Sequence, residues 1–333
     1  MLSKRVAIDL GASALRLHLK GEGVVLSEPA LVLVSADGER VAGVGVQALS
    51  AHADGMTLRR PLRGAAIDDS LALTAAMQHL VGRALGRQRI FKPDVMVAVP
   101  PLMSGRDRRE VMDAVCRAGA RTAYLIDVPL AAAIGAGLPV STDTAHLIVD
   151  LGADATEIAV IAHESTVVSR SAFVGGTHLT ASIAAAVNAA GDVDIDSTAA
   201  EEAKREIGSA VPLQEERTLR LRGRDRRTAL LGEVTIHSGQ VSEAMLPHLR
   251  EIAIALRAAV DECPPSLMTD VRERTGVLLT GGGARLRGID RYLSAMTGLR
   301  VNVAAEPEVC TVRGAGIALE SLDVVRRNLL YVR

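Results

Sequence analysis

The chain has 333 residues, a net charge of −1 and 48% hydrophobic residues, which suits two domains or one two-lobed unit with a large core. Only 2% of the residues are aromatic and Trp is absent, which argues against stacking on nucleic-acid bases. Three scattered cysteines without CxxC spacing favour reduced thiols in a cytoplasmic protein over disulfides or a metal site. We find no signal-peptide pattern and no apolar run long enough to span a membrane.

The first third of the chain is predicted to consist mainly of strands and turns. Val6–Leu10 and Leu15–Lys20 flank a glycine turn, which predicts a hairpin. Ala30–Ser35 and Arg40–Val44 flank Asp37-Gly38, a strong signal for a second hairpin. The polar and basic stretch that follows is predicted to be a loop, residues 52–64.

Helices and buried strands follow in alternation up to a predicted boundary at residues 137–144. Ser70–Leu85 has apolar residues at helical spacing, whereas Val95–Val99 is a continuous apolar run, as expected of a strand that is buried on both faces. Ser104 is a candidate cap for the next helix, and Thr122–Ile126 is another strand. The Ala-rich segment Pro129–Gly135 is predicted to be helical.

The second half repeats this plan. Ala145–Asp150 and Thr156–Ala162 again flank a glycine turn, and a helix is predicted over Thr177–Ala190. Thr198 is a candidate cap for a helix that contains Glu201. The remaining predictions are a charged insertion at residues 213–239, a helix at 240–262, a strand at 277–280 and a terminal helix that Gly314 opens.

One motif occurs in both halves: Asp-Leu-Gly-Ala-x-Ala begins at Asp9 and again at Asp150. Glycine allows a tight turn whose backbone amides converge on an anion, and an Asp at the strand end can hold a hydrated Mg²⁺ against that anion. Two such hairpins that face each other would hold the phosphates of a nucleotide. The alternative for either copy taken singly is an ordinary hairpin turn.

A run of three glycines, Gly281, Gly282 and Gly283, follows the strand at 277–280. If the run leads into a helix, the free amides and the helix dipole favour an anion or a sugar hydroxyl there. The alternative is a plain turn between a strand and a helix, but such a turn does not need three glycines.

Several segments taken together resemble the MreB/Mbl family of bacterial actin homologues over nearly the whole chain. The resemblance implies an α/β, actin-like fold (a duplicated ribonuclease H-like fold) with two lobes around a nucleotide cleft and four subdomains. Lobe I would cover residues 1–143, with a small subdomain at about 30–69, and lobe II residues 144–333, with a small subdomain at about 180–239. The segments are 23–29, 92–95, 131–140, 206–210, 222–225 and 279–283.

The resemblance also implies a site for ATP and Mg²⁺. Asp9 and Asp150 match the Mg²⁺-linked acids, and Glu201 and Lys204 match a pair that contacts the adenosine. The nucleotide-binding loops would be Gly11, Ala12 and Ser13, then Gly152, Ala153 and Asp154, then Gly281, Gly282 and Gly283.

The chain departs from the family pattern at the phosphates. In the first loop, Ala12 and its neighbours stand where the family has Thr and Asn, so Ser13 supplies the one hydroxyl that could bind phosphate. In the second loop, Asp154 puts a carboxylate where the family leaves room for phosphate. Each lost hydrogen bond to a charged group costs roughly 1.5–3 kcal/mol. Val128 replaces the water-orienting Glu, and the neighbouring Asp127 is expected to point the other way. The sequence therefore predicts at most a weak ATPase.

Ile90 and Phe91 lie between basic residues at the position of the family's membrane loop. Two apolar side chains among cations suit an anionic membrane surface. The alternative is that Phe91 packs at the start of the strand Val95–Val99.

The leading hypothesis is a cytoplasmic filament protein at the inner face of the cell membrane that directs cell shape and cell-wall synthesis. Its expected partners are further copies of itself, an intact MreB paralogue, the membrane and the cell-wall elongation machinery, and no nucleic acid. A non-polymerising pseudo-ATPase that regulates a paralogue stays open as an alternative. A sugar or acetate kinase of the same fold would need a substrate-activating acid besides Asp9 and Asp150, and none stands out. A DnaK-type chaperone would need room for a peptide-binding domain.

Overall fold

The structure is a computed structural model and describes residues 4–38, 40–50, 55–86, 92–322 and 330–332. Elements of the first half, in chain order, are β1 (Arg5–Leu10), β2 (Ala14–Leu19), β3 (Gly23–Pro29), β4 (Val32–Ser35), β5 (Val41–Val44), α1 (Val46–Ser50), β6 (Met56–Arg59), β7 (Leu62–Arg63), β8 (Ala66–Ile67), α2 (Ser70–Leu85), β9 (Asp94–Val99), α3 (Gly105–Arg117), β10 (Thr122–Asp127) and α4 (Val128–Gly135).

Elements of the second half are β11 (His146–Leu151), β12 (Thr156–Ala162), β13 (Ser165–Ala172), α5 (Gly176–Ala190), β14 (Val193–Asp194), α6 (Ser197–Glu206), β15 (Thr218–Asp225), β16 (Leu231–His237), α7 (Ser238–Glu262), α8 (Pro265–Asp270), β17 (Val277–Thr280), α9 (Ile289–Thr297), β18 (Val301–Val303), α10 (Cys310–Glu320) and β19 (Leu330–Val332). A π-helical turn covers Val271–Thr275, and 3₁₀ turns cover Gly282–Arg285 and Pro307–Val309.

Two large sheets carry the two halves and have the same local plan. The first has the order β19-β10-β9-β1-β2-β3, and the second has the order β13-β12-β11-β17-β18. In each, the leading strand pairs antiparallel with the strand that follows it and parallel with a later strand. β1 and β11 consist almost entirely of buried residues. This is expected of strands whose two faces are both covered by other elements. The predicted duplicated α/β fold is confirmed.

Smaller sheets lie within the predicted small subdomains. β4, β5 and β6 form one sheet and β7 pairs with β8, whereas β14, β15 and β16 form another. The predicted lobe boundaries stay predictions, and the topology adds one feature to them. Strand β19 pairs with β10, so the second half ends in the sheet of the first half.

Helices α4 and α10 pack closely in the middle of the molecule, within a core cluster that includes strand residues of both large sheets. A Cβ atom on Gly314 would lie 1.7 Å from the carbonyl oxygen of Ala131, and one on Gly135 would lie 1.8 Å from that of Cys310. Only glycine at both positions allows the two backbones to approach so closely.

Three local predictions were wrong. Helix α6 is capped by Asp196, whose side chain accepts from the amide of Ala199 at 2.9 Å, and not by Thr198. Gly314 does not open a helix but lies inside α10, where it contacts α4. The segment predicted as a loop contains β6 and β7, which pair antiparallel with β4 and β8.

Within the described ranges, no helix is both long enough and apolar enough to cross a membrane.

Candidate functional site

The two copies of the repeated motif adopt the same turn. The amide of Gly11 donates to the carbonyl of Ala14 at 3.1 Å, and the amide of Gly152 donates to that of Ala155 at 2.9 Å. A Cβ atom on either glycine would come within 2.8 Å of the same carbonyl oxygen. The close backbone approach therefore explains why both turns carry glycine. Ala12 and Ser13 lie at the tip of the first turn, where Ser13 is exposed.

Asp9, at the end of β1, is buried and ion-paired with Arg16. The two residues are directly opposite each other in the β1–β2 ladder, so their side chains share one face of the sheet. Nη1 of Arg16 lies 2.9 Å from Oδ2 of Asp9. Burial raises the pKa of Asp9, and the charge and hydrogen bond of Arg16 act against that rise. Arg16 was missed at the sequence level, although it lies in the predicted hairpin.

Asp150 takes the equivalent position in the second half, at the end of β11. Its Oδ2 accepts hydrogen bonds from the hydroxyls of Thr280 at 3.1 Å and Thr311 at 3.4 Å. Burial, followed by the negative charge of Asp9, raises the pKa of Asp150 to about 6. The carboxylate of Asp9 and the guanidinium of Arg16 both act on Asp150, so the ends of the two hairpins share one electrostatic environment.

Glu157 is opposite Asp150 in the β11–β12 ladder, as Arg16 is opposite Asp9 in the first hairpin. It is buried, and its carboxylate is bonded to the hydroxyl of Ser171. Burial raises the pKa of Glu157 to about 7, which the Ser171 bond opposes and the charge of Asp150 supports. The two related hairpins thus carry opposite charge types at the same position.

The three-glycine loop lies against the second hairpin. Gly281 has a φ of +80°, and a Cβ atom there would lie 2.5 Å from the carbonyl oxygen of Leu151. The 3₁₀ turn Gly282–Arg285 includes the last two glycines of the loop, and α9 begins only at Ile289. The loop therefore leads into a 3₁₀ turn before the predicted helix begins, and it lies beside the strand that carries Asp150.

A second glycine loop, Gly175-Gly176, was missed at the sequence level as part of the site. The amide of Gly176 donates to the carbonyl of Gly152 at 3.0 Å, and the amide of Thr177 donates to that of Ala153 at 2.9 Å. A Cβ atom on Gly175 would come within 2.4 Å of the Ala153 carbonyl. The paired glycines after β13 were the available signal in the sequence.

The Asp154 carboxylate, which was predicted to occupy phosphate space, is bound by protein donors from both halves of the chain. The hydroxyl of Thr177 donates to its Oδ1 at 2.8 Å, and the amide of Gly64 donates to its Oδ2 at 3.3 Å. Nη1 of Arg60 lies 4.0 Å from Oδ1. The ring of Phe173 also approaches Gly64, since a Cβ atom on that glycine would lie 3.6 Å from it. Asp154 therefore links the β7–β8 turn of the first half to the second hairpin.

Glu201 and Lys204 lie together on α6, as predicted for a pair with a common role. Nζ of Lys204 is 2.6 Å from the Glu201 carboxylate and also donates to the carbonyl of Gly176 at 2.9 Å. Thr180 donates to Glu201 at 2.6 Å. Burial acts to raise the pKa of Glu201, but the hydrogen bonds from Lys204, Thr180 and Arg205 outweigh it and lower the pKa below its ordinary value. The contact with Gly176 connects this pair to the second glycine loop.

Val128 begins α4 and packs against the central core cluster. The preceding Asp127 receives a hydrogen bond of 2.7 Å from Nη2 of Arg108, so its carboxylate is already paired. Asp127 is near enough to Glu157 for its charge to support the raised pKa of that acid. The roles that the sequence assigns to these two positions stay predictions.

The donors near Asp9 do not fit a magnesium ion held by this chain. Arg16 is already ion-paired with Oδ2 of Asp9, and Oδ2 of Asp150 accepts hydrogen bonds from two threonine hydroxyls. Within the described residues, no group of three or more His, Cys, Asp or Glu is placed to hold a metal ion. Mg²⁺ at a nucleotide site usually keeps several waters and is held by one or two carboxylates together with phosphates, so what disfavours it here is the fixed guanidinium next to Asp9, which repels a cation.

The predicted membrane residues Ile90 and Phe91 lie outside the described residues.

Two related sheets, each with a glycine-turn hairpin whose first strand carries a buried acid near its end, define a protein with an actin-like fold. Comparisons with known proteins agree with this class. The crystal structure of MreB5 of Spiroplasma citri bound to ADP superposes with a TM-score of 0.90 at 26% identity, over 98% of this chain and 99% of that one.

A family model described as MreB/Mbl protein matches residues 3–327. The cell shape-determining protein MreB of Escherichia coli (strain K12) is 37% identical over 97% of this chain and 95% of its own length. The cell shape-determining protein Mbl of Bacillus subtilis (strain 168) is 28% identical over 99% and 100%. The chain belongs to the MreB/Mbl family, and the predicted resemblance is confirmed.

Proposed function

We propose that this MreB-like cytoskeletal protein assembles into filaments at the inner face of the cell membrane and helps to direct cell shape and cell-wall synthesis. Relatives along its whole length are named for cell-shape determination. Its cleft is proposed to bind ATP or ADP weakly and to hydrolyse ATP slowly or not at all. The similar MreB5 structure contains ADP, which supports nucleotide binding.

One observation carries the proposal of a degenerate site: the Asp154 carboxylate is held by Thr177 and Gly64 at the turn where a phosphate would need backbone donors. A nucleotide phosphate has to compete with a negative charge that is already satisfied. Val128 adds the loss of a water-orienting carboxylate at the start of α4. The glycine turns and the Glu201–Lys204 pair are retained, so binding is weakened and not abolished.

Phosphate release and sedimentation test the two parts of this proposal separately. We expect the wild-type protein to sediment as filaments, weakly dependent on nucleotide and more strongly on salt, with little phosphate release. The double variant Val128→Glu, Asp154→Gly should gain affinity and turnover together. ATP hydrolysis by the wild type at the rate of an intact relative would exclude a degenerate site. A protein that sediments only with a paralogue would be the non-polymerising regulator, and phosphate transfer to a sugar or acetate would indicate a kinase.

Attachment to the membrane is a further part of the proposal and depends on Ile90 and Phe91. Replacement of both by Ser should reduce co-sedimentation with vesicles that contain anionic lipid, whereas assembly without lipid should persist. Unchanged vesicle binding by the double-Ser variant would assign attachment to another surface or to a partner.

A further inference from the structure

Arg16 stands at the position in the first hairpin that Glu157 takes in the second. Its Nη1 is 2.9 Å from Oδ2 of Asp9, and its side chain is only 17% exposed. Within the duplicated plan, one hairpin therefore ends in an acid and a base, whereas the other ends in two acids. The guanidinium is a permanent charge, because arginine is not deprotonated in proteins.

The charge of Arg16 also affects acids other than its ion-pair partner Asp9. It acts on Asp150 as well as on Asp9, and it contributes a smaller effect at Glu308, whose pKa is lowered chiefly by Arg285. Arg16 therefore lies beside the two acids at which the hairpins converge, Asp9 and Asp150, where a divalent cation would otherwise balance their charge.

The hydrogen-bonding capacity of Arg16 is also incompletely used. Its Nε is buried and has no hydrogen-bond partner among the described residues. A buried donor without a partner is costly and is usually explained by a missing acceptor. Its guanidinium has a planar fork of donors that suits the oxygens of a phosphate.

We propose that Arg16 replaces the divalent metal of the cleft, so that the protein binds nucleoside di- and triphosphates in their metal-free form. This inference rests on the proposed nucleotide binding and adds the form of nucleotide that is bound. Arg16 would neutralise Asp9 on one side and donate to a phosphate oxygen with its free N–H. A metal ion at the same place would meet a fixed positive charge.

Binding of ADP and ATP should be measured with excess EDTA and with excess Mg²⁺, for the wild type and for Arg16→Leu, Arg16→Lys and the control Arg121→Leu. Arg121 forms an ion pair with Asp94 at the other end of its strands and is exposed, so the control removes one arginine without altering the cleft. The wild type should bind as tightly in EDTA as in Mg²⁺. Arg16→Leu should lose at least tenfold in affinity in EDTA, Arg16→Lys should retain part of it, and the control should be unchanged.

A second measurement uses the metal alone and does not depend on nucleotide. Mn²⁺ titration followed by electron paramagnetic resonance should show no bound ion in the wild type and a bound ion in Arg16→Leu, because Asp9 is then released. Circular dichroism of each variant establishes that it is folded.

The outcomes separate the inference from the proposed function. Nucleotide binding by the wild type only with Mg²⁺, or Mn²⁺ binding by the wild type, would overturn the role of Arg16 and leave the proposed function intact. The absence of nucleotide binding under both conditions would overturn both the inference and the nucleotide part of the proposed function.

Discussion

Replacement of Asp154 by Ala is expected to weaken the fold and to improve nucleotide binding at once. The bond from Thr177, at 2.8 Å, contributes about 1.5–3 kcal/mol because its acceptor is charged. The longer Gly64 bond, at 3.3 Å, is assigned about 0.5–1 kcal/mol. Arg60 is 39% exposed and 4.0 Å away, and such a pair adds little.

These contributions sum to about 2–4 kcal/mol, and the variant also no longer bears the cost of burying a carboxylate, which offsets part of them. We therefore expect the unfolding free energy to fall by about 2 kcal/mol. Two unit charges 4 Å apart interact by about 4 kcal/mol at an effective dielectric constant of 20. Even a third of that repulsion, removed from a phosphate, tightens nucleotide binding about tenfold.

The assay is urea unfolding followed by circular dichroism, since the chain has no Trp, together with titration of a fluorescent ADP analogue. Asp143→Ala is the matched control, because that side chain is 94% exposed and its ion-pair partner is an exposed histidine. Asp154→Asn retains the shape and removes the charge. If Asp154→Ala and Asp143→Ala had the same urea midpoint and the same affinity for the ADP analogue, the contacts of Asp154 would contribute neither to stability nor to nucleotide affinity.

Three further predictions concern other parts of the molecule. Val128→Glu alone should raise phosphate release with little effect on nucleotide affinity, and an unchanged rate would show that the start of α4 does not face the attacking water. Glu157 binds its proton more tightly in the folded state, since its pKa rises from 4.5 to about 7. It therefore contributes up to about 3 kcal/mol of stability that is complete below pH 4.5 and lost as the pH rises through 7. Glu157→Gln should flatten the urea midpoint between pH 5 and pH 8, and a slope equal to that of the wild type would contradict this linkage. Gly314→Ala should lower the unfolding free energy by several kcal/mol, since its Cβ would lie 1.7 Å from a backbone oxygen, whereas Gly105→Ala, with open space around it, should be nearly neutral.

The repeated motif predicted the two hairpins with their acids, and the resemblance to the MreB/Mbl family implied the fold. Asp9 and Asp150 each precede a glycine turn, and that local pattern fixes both the hairpin and the position of the carboxylate. Helix α2 was also predicted with its observed bounds, because its apolar spacing is regular; its cap, Asp69, was not predicted.

The parts that sequence reasoning missed depend on contacts between distant residues. The donors that hold Asp154 come from Gly64 and Thr177, and nothing in the local pattern of either residue indicates the other. Arg16 was hidden by its position in a strand of alternating residues, where a charged side chain is expected to face solvent. A comparison of the two hairpins residue by residue would have revealed it, since Glu157 stands at the same place.

The glycine contact between α4 and α10 has a mechanical consequence. The two helices meet backbone to backbone at Gly135 and Gly314. Both helices belong to the cluster that includes strand residues of both large sheets. The contact therefore fixes how closely the two sheets approach each other at this point, because any side chain at either glycine would push the two backbones apart.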